Sequence, residues 1–406
     1  MSAQSTTITF ARWQVTPSRI KISVDDPIAR FEQVQPNTKV EALVIPNGPP
    51  YTAKLLTMIA GDVAPDVMGL PDPFGILPLF GQKGVLVDLG PLIARDAATV
   101  QPTDFLPQAL KVGQWQGKQY GLLISPLSTA VLLYNADALQ NAGVSQTPAE
   151  MYDAGKWTWN DFTVVARQGT RRPSSGGAQF GFLVSFAIQQ AMSFVWEAGG
   201  DLLNAAGTKS VIDNSSSIAG LQFLDDLLHK DAVSPTSTEL KALPNGFNSG
   251  QICLGWSWAH TVGQNLAGVK FNWDIVPLPV GPAGEVVNGN YNNIGMSKTS
   301  KGAATAWQFV QFMTSGAEEI NEQHQALPAR RSVYQQWLQW MEQSPRRKNL
   351  KYLQPLVAKS RDLPYSPTWP QIGDAWTKET AFLQQGTQSP SDVARALAAA
   401  INAVLQ

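Results

Sequence analysis

Apolar residues near the N-terminus follow two periods in turn. Ile8 and Phe10, and later Val40, Ala42 and Val44, alternate with polar neighbours, as a strand buried on one face requires. Between these runs Ile28, Phe31 and Val34 recur at helical spacing behind Pro27, whose missing N–H is harmless in the first turn of a helix. Residues 52–60 repeat the device, with Leu55, Leu56 and Ile59 on one face and Gly61 as the stop. The short strand-like run Asp66-Val67-Met68 follows Pro65. Strand, helix, strand, helix, strand with short links predicts a parallel sheet covered by helices, an α/β fold.

Downstream, residues 121–124, 130–134, 252–254 and 273–276 read as strands. Residues 218–228 read as a helix with Leu221, Leu224, Leu227 and Leu228 on one face and Asp225 and Asp226 on the other. Helices are also predicted over 303–313 and 392–405, the latter with Val393, Leu397, Ile401 and Val404 aligned. The Pro/Gly-rich stretch 277–284 reads as a loop, and so does the polar, aromatic run Asn288-Gly289-Asn290-Tyr291-Asn292-Asn293. No composition break marks a domain border, which points to domains that interweave.

The 406 residues, 44% of them apolar, allow two or three domains of roughly 150 residues with sizeable cores. Charged residues make up only 15%, against about 25% in an average soluble domain, and 30 Lys+Arg nearly cancel 31 Asp+Glu. Nothing therefore draws the whole molecule to nucleic acid or to an anionic membrane. The single cysteine, Cys253, excludes an internal disulfide framework, and its place between Ile252 and Leu254 predicts a buried, inert thiol. No run approaches the roughly 18 apolar residues of a membrane-spanning helix. A basic segment followed by an apolar one is also missing, so the chain is either cytosolic or a mature form with its signal replaced by Met1.

Motifs of catalysis are missing. His229, His260 and His324 fit no metal-type spacing, and each is expected to be a surface or hydrogen-bonded residue; no metal and no cofactor are expected. The adjacent carboxylates Asp25-Asp26, Asp225-Asp226 and Glu318-Glu319 point apart on a helix and are expected to be solvated. Arg346-Arg347-Lys348 with Lys351 reads as a wetted helix end.

What the chain does carry is 13 tryptophans, several set among short polar residues. Flat indole faces stack on the C–H faces of sugar rings, and small polar side chains match the hydroxyls. Leu254-Gly255-Trp256-Ser257-Trp258 places two indoles at a predicted strand end, on one face by period two. Trp196 ahead of Gly199-Gly200, the Asn290-Tyr291 run, and Trp369 ahead of Trp376 repeat the mixture. Trp115, Trp157, Trp159, Trp273, Trp307, Trp337 and Trp340 fit scaffold positions instead.

Collinear strings then match a known family. Phe31-Glu32 with Pro36 and Val40, Lys54-Leu55, Ala60-Gly61 and Pro65-Asp66-Val67 come first. They are followed by Val85-Leu86-Val87-Asp88-Leu89, Leu133-Tyr134-Asn135-Ala136-Asp137, Phe247-Asn248-Ser249-Gly250 and Ala306-Trp307-Gln308-Phe309. In this order the chain resembles the family 1 extracellular solute-binding proteins, ligand-capture subunits of ATP-driven sugar importers. The resemblance implies a two-lobed fold in which each lobe is a sheet flanked by helices. Lobe 1 would hold residues 1–126 plus 291–330, lobe 2 residues 127–290 plus 331–406, with ligand in the cleft between them and hinge closure around it. It implies an extracytoplasmic protein, periplasmic or lipid-anchored, that works with membrane permease subunits and is expected to be a monomer. It also implies ligand-binding roles for Trp256 and Trp376 as stacking rings and for Asp72, which is followed here by Pro73 where the family has Arg. Ser128 replaces a binding Glu, and Arg12 and Trp13 lie near the family's first binding loop. Trp196, Trp258, Asn290, Tyr291 and Trp369 complete the expected site. A neutral mono- or oligosaccharide is the expected ligand. Two readings stay open beside it: a polyol, glycerophosphodiester or charged sugar with Arg12 as anion partner, and a carbohydrate-active enzyme, whose two carboxylates need not be close in sequence.

Overall fold

The computed structural model describes residues 5–71, 75–124, 127–173, 177–243, 246–262, 266, 268–321, 327–342 and 349–406. In chain order the strands of its first part are β1 (Thr6–Trp13), β2 (Thr38–Ile45), β3 (Val67–Pro71), β4 (Gln114–Trp115), β5 (Lys118–Gln119) and β6 (Leu122–Leu123). Then come β7 (Ser128–Asn135), β8 (Phe180–Phe182), β9 (Ile252–Trp258), β10 (Trp273–Val276), β11 (Val287–Asn290), β12 (Asn292–Met296) and β13 (Ser360–Arg361). One sheet has the order β2-β1-β3-β12-β6 and another β13-β11-β7-β9-β8, with β10 also on β7; β4 and β5 form a hairpin. The chain divides into two compact units. The first takes Met1–Leu127, Asn290–Gln339 and Tyr365–Pro370, and the second takes Ser128–Gly289, Trp340–Pro364 and Gln371–Gln406.

In the first unit β1 runs parallel to β2 and β3, and helices Asp26–Val34 and Pro49–Ala60 supply the crossovers that the alternating periods predict. Both helices carry proline in the first turn. The sheet is mixed, however, because β12 lies antiparallel to both β3 and β6. This corrects two expectations together: the sheet is not all parallel, and the asparagine-rich run is two strands, not a loop. Asn and Gly are poor strand formers, so their propensity hid β11 and β12. Burial decides the outcome here. Asn288 and Asn293 are fully buried, and their amides donate to the carbonyls of Gln189 (3.3 Å) and Val112 (3.1 Å).

The first unit's core joins Phe10, Phe31 and Phe309, whose rings meet edge-on at 5.1 and 5.3 Å. A second cluster holds Trp13, Tyr51, Leu55, Met68, Leu70 and Phe80. The Tyr51 hydroxyl donates toward the carbonyls of Gly69 (2.8 Å) and Ala11 (3.1 Å), and burial pushes its pKa up. A Cβ at position 69 would lie 2.6 Å from the Trp13 ring, so only glycine lets the indole pack there. Glu318, expected to be solvated, is buried instead and forms an ion pair with Arg30. A carboxylate turned inward needs such a partner, because burial alone would neutralise it.

The second unit is built on β7, antiparallel to β9 and β10, with β8 parallel to β9. Its core is aromatic. Trp159 stacks on Phe223 at 4.0 Å, and Phe162 meets Phe182 edge-on at 5.0 Å. The helix predicted over 218–228 is Ser215–Asp225, continued by the π-helical turn Asp226–Lys230. Cys253 is buried, accepts from the Gln179 amide at 3.2 Å, and burial pushes its thiol up to about 12, the inert state expected of it. Among the described residues no helix is long and apolar enough to cross a membrane.

Candidate functional site

The antiparallel β7–β9 ladder sets Trp256 opposite Leu132 and Trp258 opposite Ala130. Alternation along the strand then puts both indoles on one face. Their rings meet edge-to-face, 4.7 Å apart at 73°, and each keeps part of its surface exposed. Trp256 Nε1–H is nonetheless buried and has no acceptor among the described residues. A buried donor left without an acceptor costs about 1–3 kcal/mol, so an incoming oxygen there would gain more than one at an already satisfied donor.

The ladder continues past the end of β9. Ala259 N–H donates to the Thr129 carbonyl at 3.0 Å, and the chain then turns, with Thr261 N–H donating to the Trp258 carbonyl at 3.0 Å. His260 Nδ1 lies 2.7 Å from the Ser128 hydroxyl, and its backbone N–H lies 3.4 Å from the same oxygen. Ser128 itself is only 1% exposed, whereas His260 keeps part of its surface open. Alternation along β7 and β9 thus puts Ser128, Trp256 and Trp258 on one sheet face, and the turn after Trp258 sets His260 against Ser128.

The other expected residues are placed differently. Trp376, in helix Trp369–Gln385, is 2% exposed, and its indole N–H donates to the Phe186 carbonyl at 2.7 Å. Trp196, in helix Ile188–Glu197, is buried and donates to Asp201 Oδ1 at 3.1 Å. Arg361 pairs with Asp201 and lies over the Trp196 ring, 5.0 Å from its centroid. Trp369 is buried against Tyr365, with Gly75, at φ 60°, directly beneath it. Arg12 and Trp13 form a stacked pair in the first unit, the guanidinium carbon 3.6 Å from the ring centroid, and both are buried. Asn290 ends β11, and the fully buried Tyr291 follows it. Asp72 and His324 lie outside the described residues, as do Arg346, Arg347 and Lys348.

A cavity of about 480 Å³ opens elsewhere in the second unit, at the Tyr134 end of β7, lined by Asp153, Asp274 and Asn349 among others. Its polar groups already engage one another. Asp274 accepts from the Asn349 amide at 2.9 Å, and Asp153 accepts from the Tyr352 hydroxyl at 2.9 Å. Among the described residues no such bond occupies Trp256 Nε1.

Glu197 is fully buried; it accepts from Trp159 Nε1 at 2.7 Å through one oxygen, while its other oxygen has no partner among the described residues. Burial pushes its pKa well above the ordinary carboxylic value, against the Trp159 hydrogen bond and with help from Glu285.

Residues 19–319 match the family model described as bacterial extracellular solute-binding protein. The chain belongs to that family. A stretch of 292 residues of this solute-binding protein is 24% identical to the arabinooligosaccharide-binding protein of Bacillus subtilis (strain 168). The match spans 70% of this chain and 63% of that relative. An ABC substrate-binding protein from Listeria monocytogenes, solved with cycloalternan, superposes with a TM-score of 0.84 at 25% identity, covering 98% of this chain and 99% of that one. The fold is likewise that of UgpB from Mycobacterium tuberculosis in complex with glycerophosphocholine, with a TM-score of 0.81 at 18% identity over 99% and 98% of the two chains.

Proposed function

We propose that this solute-binding protein is the substrate-binding subunit of an ATP-driven importer, working with membrane permease subunits outside the cytoplasm, and that it captures a neutral mono- or oligosaccharide without altering it. The observation that carries the proposal is the Trp256–Trp258 pair: two part-exposed rings on one sheet face, with a buried indole N–H that lacks an acceptor among the described residues. Aromatic faces beside an unused donor suit a ligand that offers C–H faces and oxygens together. Relatives whose names include an arabinooligosaccharide and a cycloalternan support the same ligand class. Trp196 and Trp376 carry less of the proposal, because their N–H groups are already held by Asp201 and Phe186. Closure of the two units on ligand is a further part of it, and small-angle scattering should show a smaller radius of gyration with ligand than without.

A second reading, binding of a glycerophosphodiester, is favoured by the likeness to the glycerophosphocholine complex. Arg12, the cation nominated for it, is buried over Trp13, which weighs against it. A thermal-shift screen against oligosaccharides, polyols and glycerophosphocholine decides between the two. A ligand at 100 times its dissociation constant stabilises the protein by about 2.7 kcal/mol. A shift with glycerophosphocholine and with no saccharide would replace the first reading by the second. Recovery of a cleaved sugar would replace both by an enzyme.

A further inference from the structure

We propose that Asn47 is a site of spontaneous covalent modification, where its side chain becomes a carboxylate by way of a cyclic imide formed with Gly48. The chemistry starts from the sequence. Glycine follows asparagine at Asn47-Gly48, Asn245-Gly246 and Asn288-Gly289. With no Cβ on the second residue, its backbone nitrogen can approach the asparagine amide carbon closely. Asn245 lies outside the described residues, and the structure sets the other two apart.

Asn47 is exposed in the bend between β2 and helix Pro49–Ala60. The Gly48 N–H donates to Asn47 Oδ1 at 3.0 Å, which sets the attacking nitrogen beside the amide it has to reach. No described residue accepts from Asn47 Nδ2, so nothing there resists the loss of that group. Gly48 has φ 84°, and a Cβ on it would meet nothing nearer than Pro50 Cδ at 4.0 Å, so the surroundings leave room for a ring. Asn288 differs on every count. It is fully buried, it lies opposite Arg361 in the parallel β11–β13 ladder, and its amide donates to the Gln189 carbonyl at 3.3 Å. Ring closure at Asn288 would break the ladder and that hydrogen bond together.

The conversion consumes one water and releases one ammonia. The Gly48 nitrogen, giving its proton to water or hydroxide, bonds to Asn47 Cγ; the Cγ–Nδ2 bond then breaks and ammonia leaves with a proton. Water opens the five-membered ring. Cleavage at Cγ leaves aspartate, whereas cleavage at the backbone carbonyl leaves isoaspartate, with an extra methylene in the main chain. Either product adds one negative charge to a chain whose formal net charge is −1. The charge arrives next to Gly48, the N-cap of helix Pro49–Ala60, which has no side-chain cap and no acid in its first turn. An anion at that end of a helix is favourable, so the aspartate form should keep its fold.

Peptide mapping of the purified chain, held folded at mildly alkaline pH and again in denaturant, tests this, with Asn47→Gln as the second protein. In the folded chain Asn47 should convert faster than Asn288 by about a hundredfold or more, because a strand-locked site reacts only in its opened fraction. In denaturant the two rates should converge, since both asparagines then precede an unconstrained glycine. Isoaspartate should appear at position 47, because direct hydrolysis of the amide yields aspartate alone. Asn47→Gln should keep the wild-type melting temperature and gain no acid at 47 over the same interval, its longer side chain having to close a larger ring. Equal rates at Asn47 and Asn288 in the folded chain overturn the structural selection. Conversion of Asn47 in denaturant but not in the folded chain overturns the site, and a product of aspartate alone overturns the ring. None of these outcomes bears on the ligand site, which stands or falls on its own measurements.

Discussion

Two groups of indoles in the second unit make opposite use of the same side chain. Trp157, Trp159, Trp196 and Trp376 each give their N–H to a fixed acceptor: the Pro277 carbonyl, Glu197, Asp201 and the Phe186 carbonyl. Trp256 gives its N–H to no described residue and shares an edge-to-face contact with the part-exposed Trp258. A buried amphipathic ring usually has its polar end satisfied. Trp157, Trp196 and Trp376 are buried with their donors spent, and the part-exposed Trp159 has its donor spent as well; Trp256 combines partial exposure with an unspent donor. Trp273 is the other described tryptophan whose buried N–H lacks an acceptor, and it lies on β10, opposite Asn135 at the far end of β7 from Ser128. The unspent donor therefore has to be read together with exposure, which Trp273 lacks.

The comparison breaks first on stability. Trp376→Ala should lower the unfolding free energy by about 3–5 kcal/mol, the usual cost of truncating a buried tryptophan, read by denaturant titration. Trp256→Ala should behave in the reverse sense. Its melting temperature should stay close to wild type, while saccharide affinity falls by about 2 kcal/mol, roughly thirtyfold. If the two variants trade these outcomes, the assignment of scaffold and site is inverted. A weaker effect sharpens the scaffold side. Because the folded-state pKa of Glu197 is raised, the group favours the fold fully below its ordinary value of 4.5 and loses that contribution as pH rises through the folded value. Glu197→Gln should therefore flatten the fall in stability between mildly acidic and alkaline pH, keeping an acceptor for Trp159, and thermal unfolding across that range checks it. The smallest expected effect is at Cys253. Its thiol should resist alkylation at neutral pH in the native state and react once the chain is unfolded, since its burial and high pKa leave little thiolate.

The regular elements were legible wherever local period and burial agree. Residues 273–276 and 303–313 are the observed strand and helix with no change of boundary. β9 runs four residues beyond the predicted Ile252–Leu254 stretch, because the alternation of Gly255 and Ser257 with the two indoles is itself a strand period. What stayed hidden is the run from Asn288 to Asn293, where residues that favour loops are buried in two sheets by long-range pairing that no local signal records. The site was legible in part. Trp256 stood out through the glycine and serine beside it. His260 did not, since its partner Ser128 lies 132 residues away and the turn that follows β9 brings the two together.

β12 has a consequence for the order of assembly. It lies between β3 and β6, so the first sheet has a gap until residue 296 has left the ribosome, although four of its five strands are complete by residue 123. Non-local pairing of this kind slows folding, because loop closure has to precede the contacts that reward it. A nascent chain of this protein would therefore stay unfinished through most of its synthesis, with the edges of β3 and β6 unpaired. A truncation ending before residue 292 should be recognised by proteases and chaperones as incomplete, however well its early crossovers have formed.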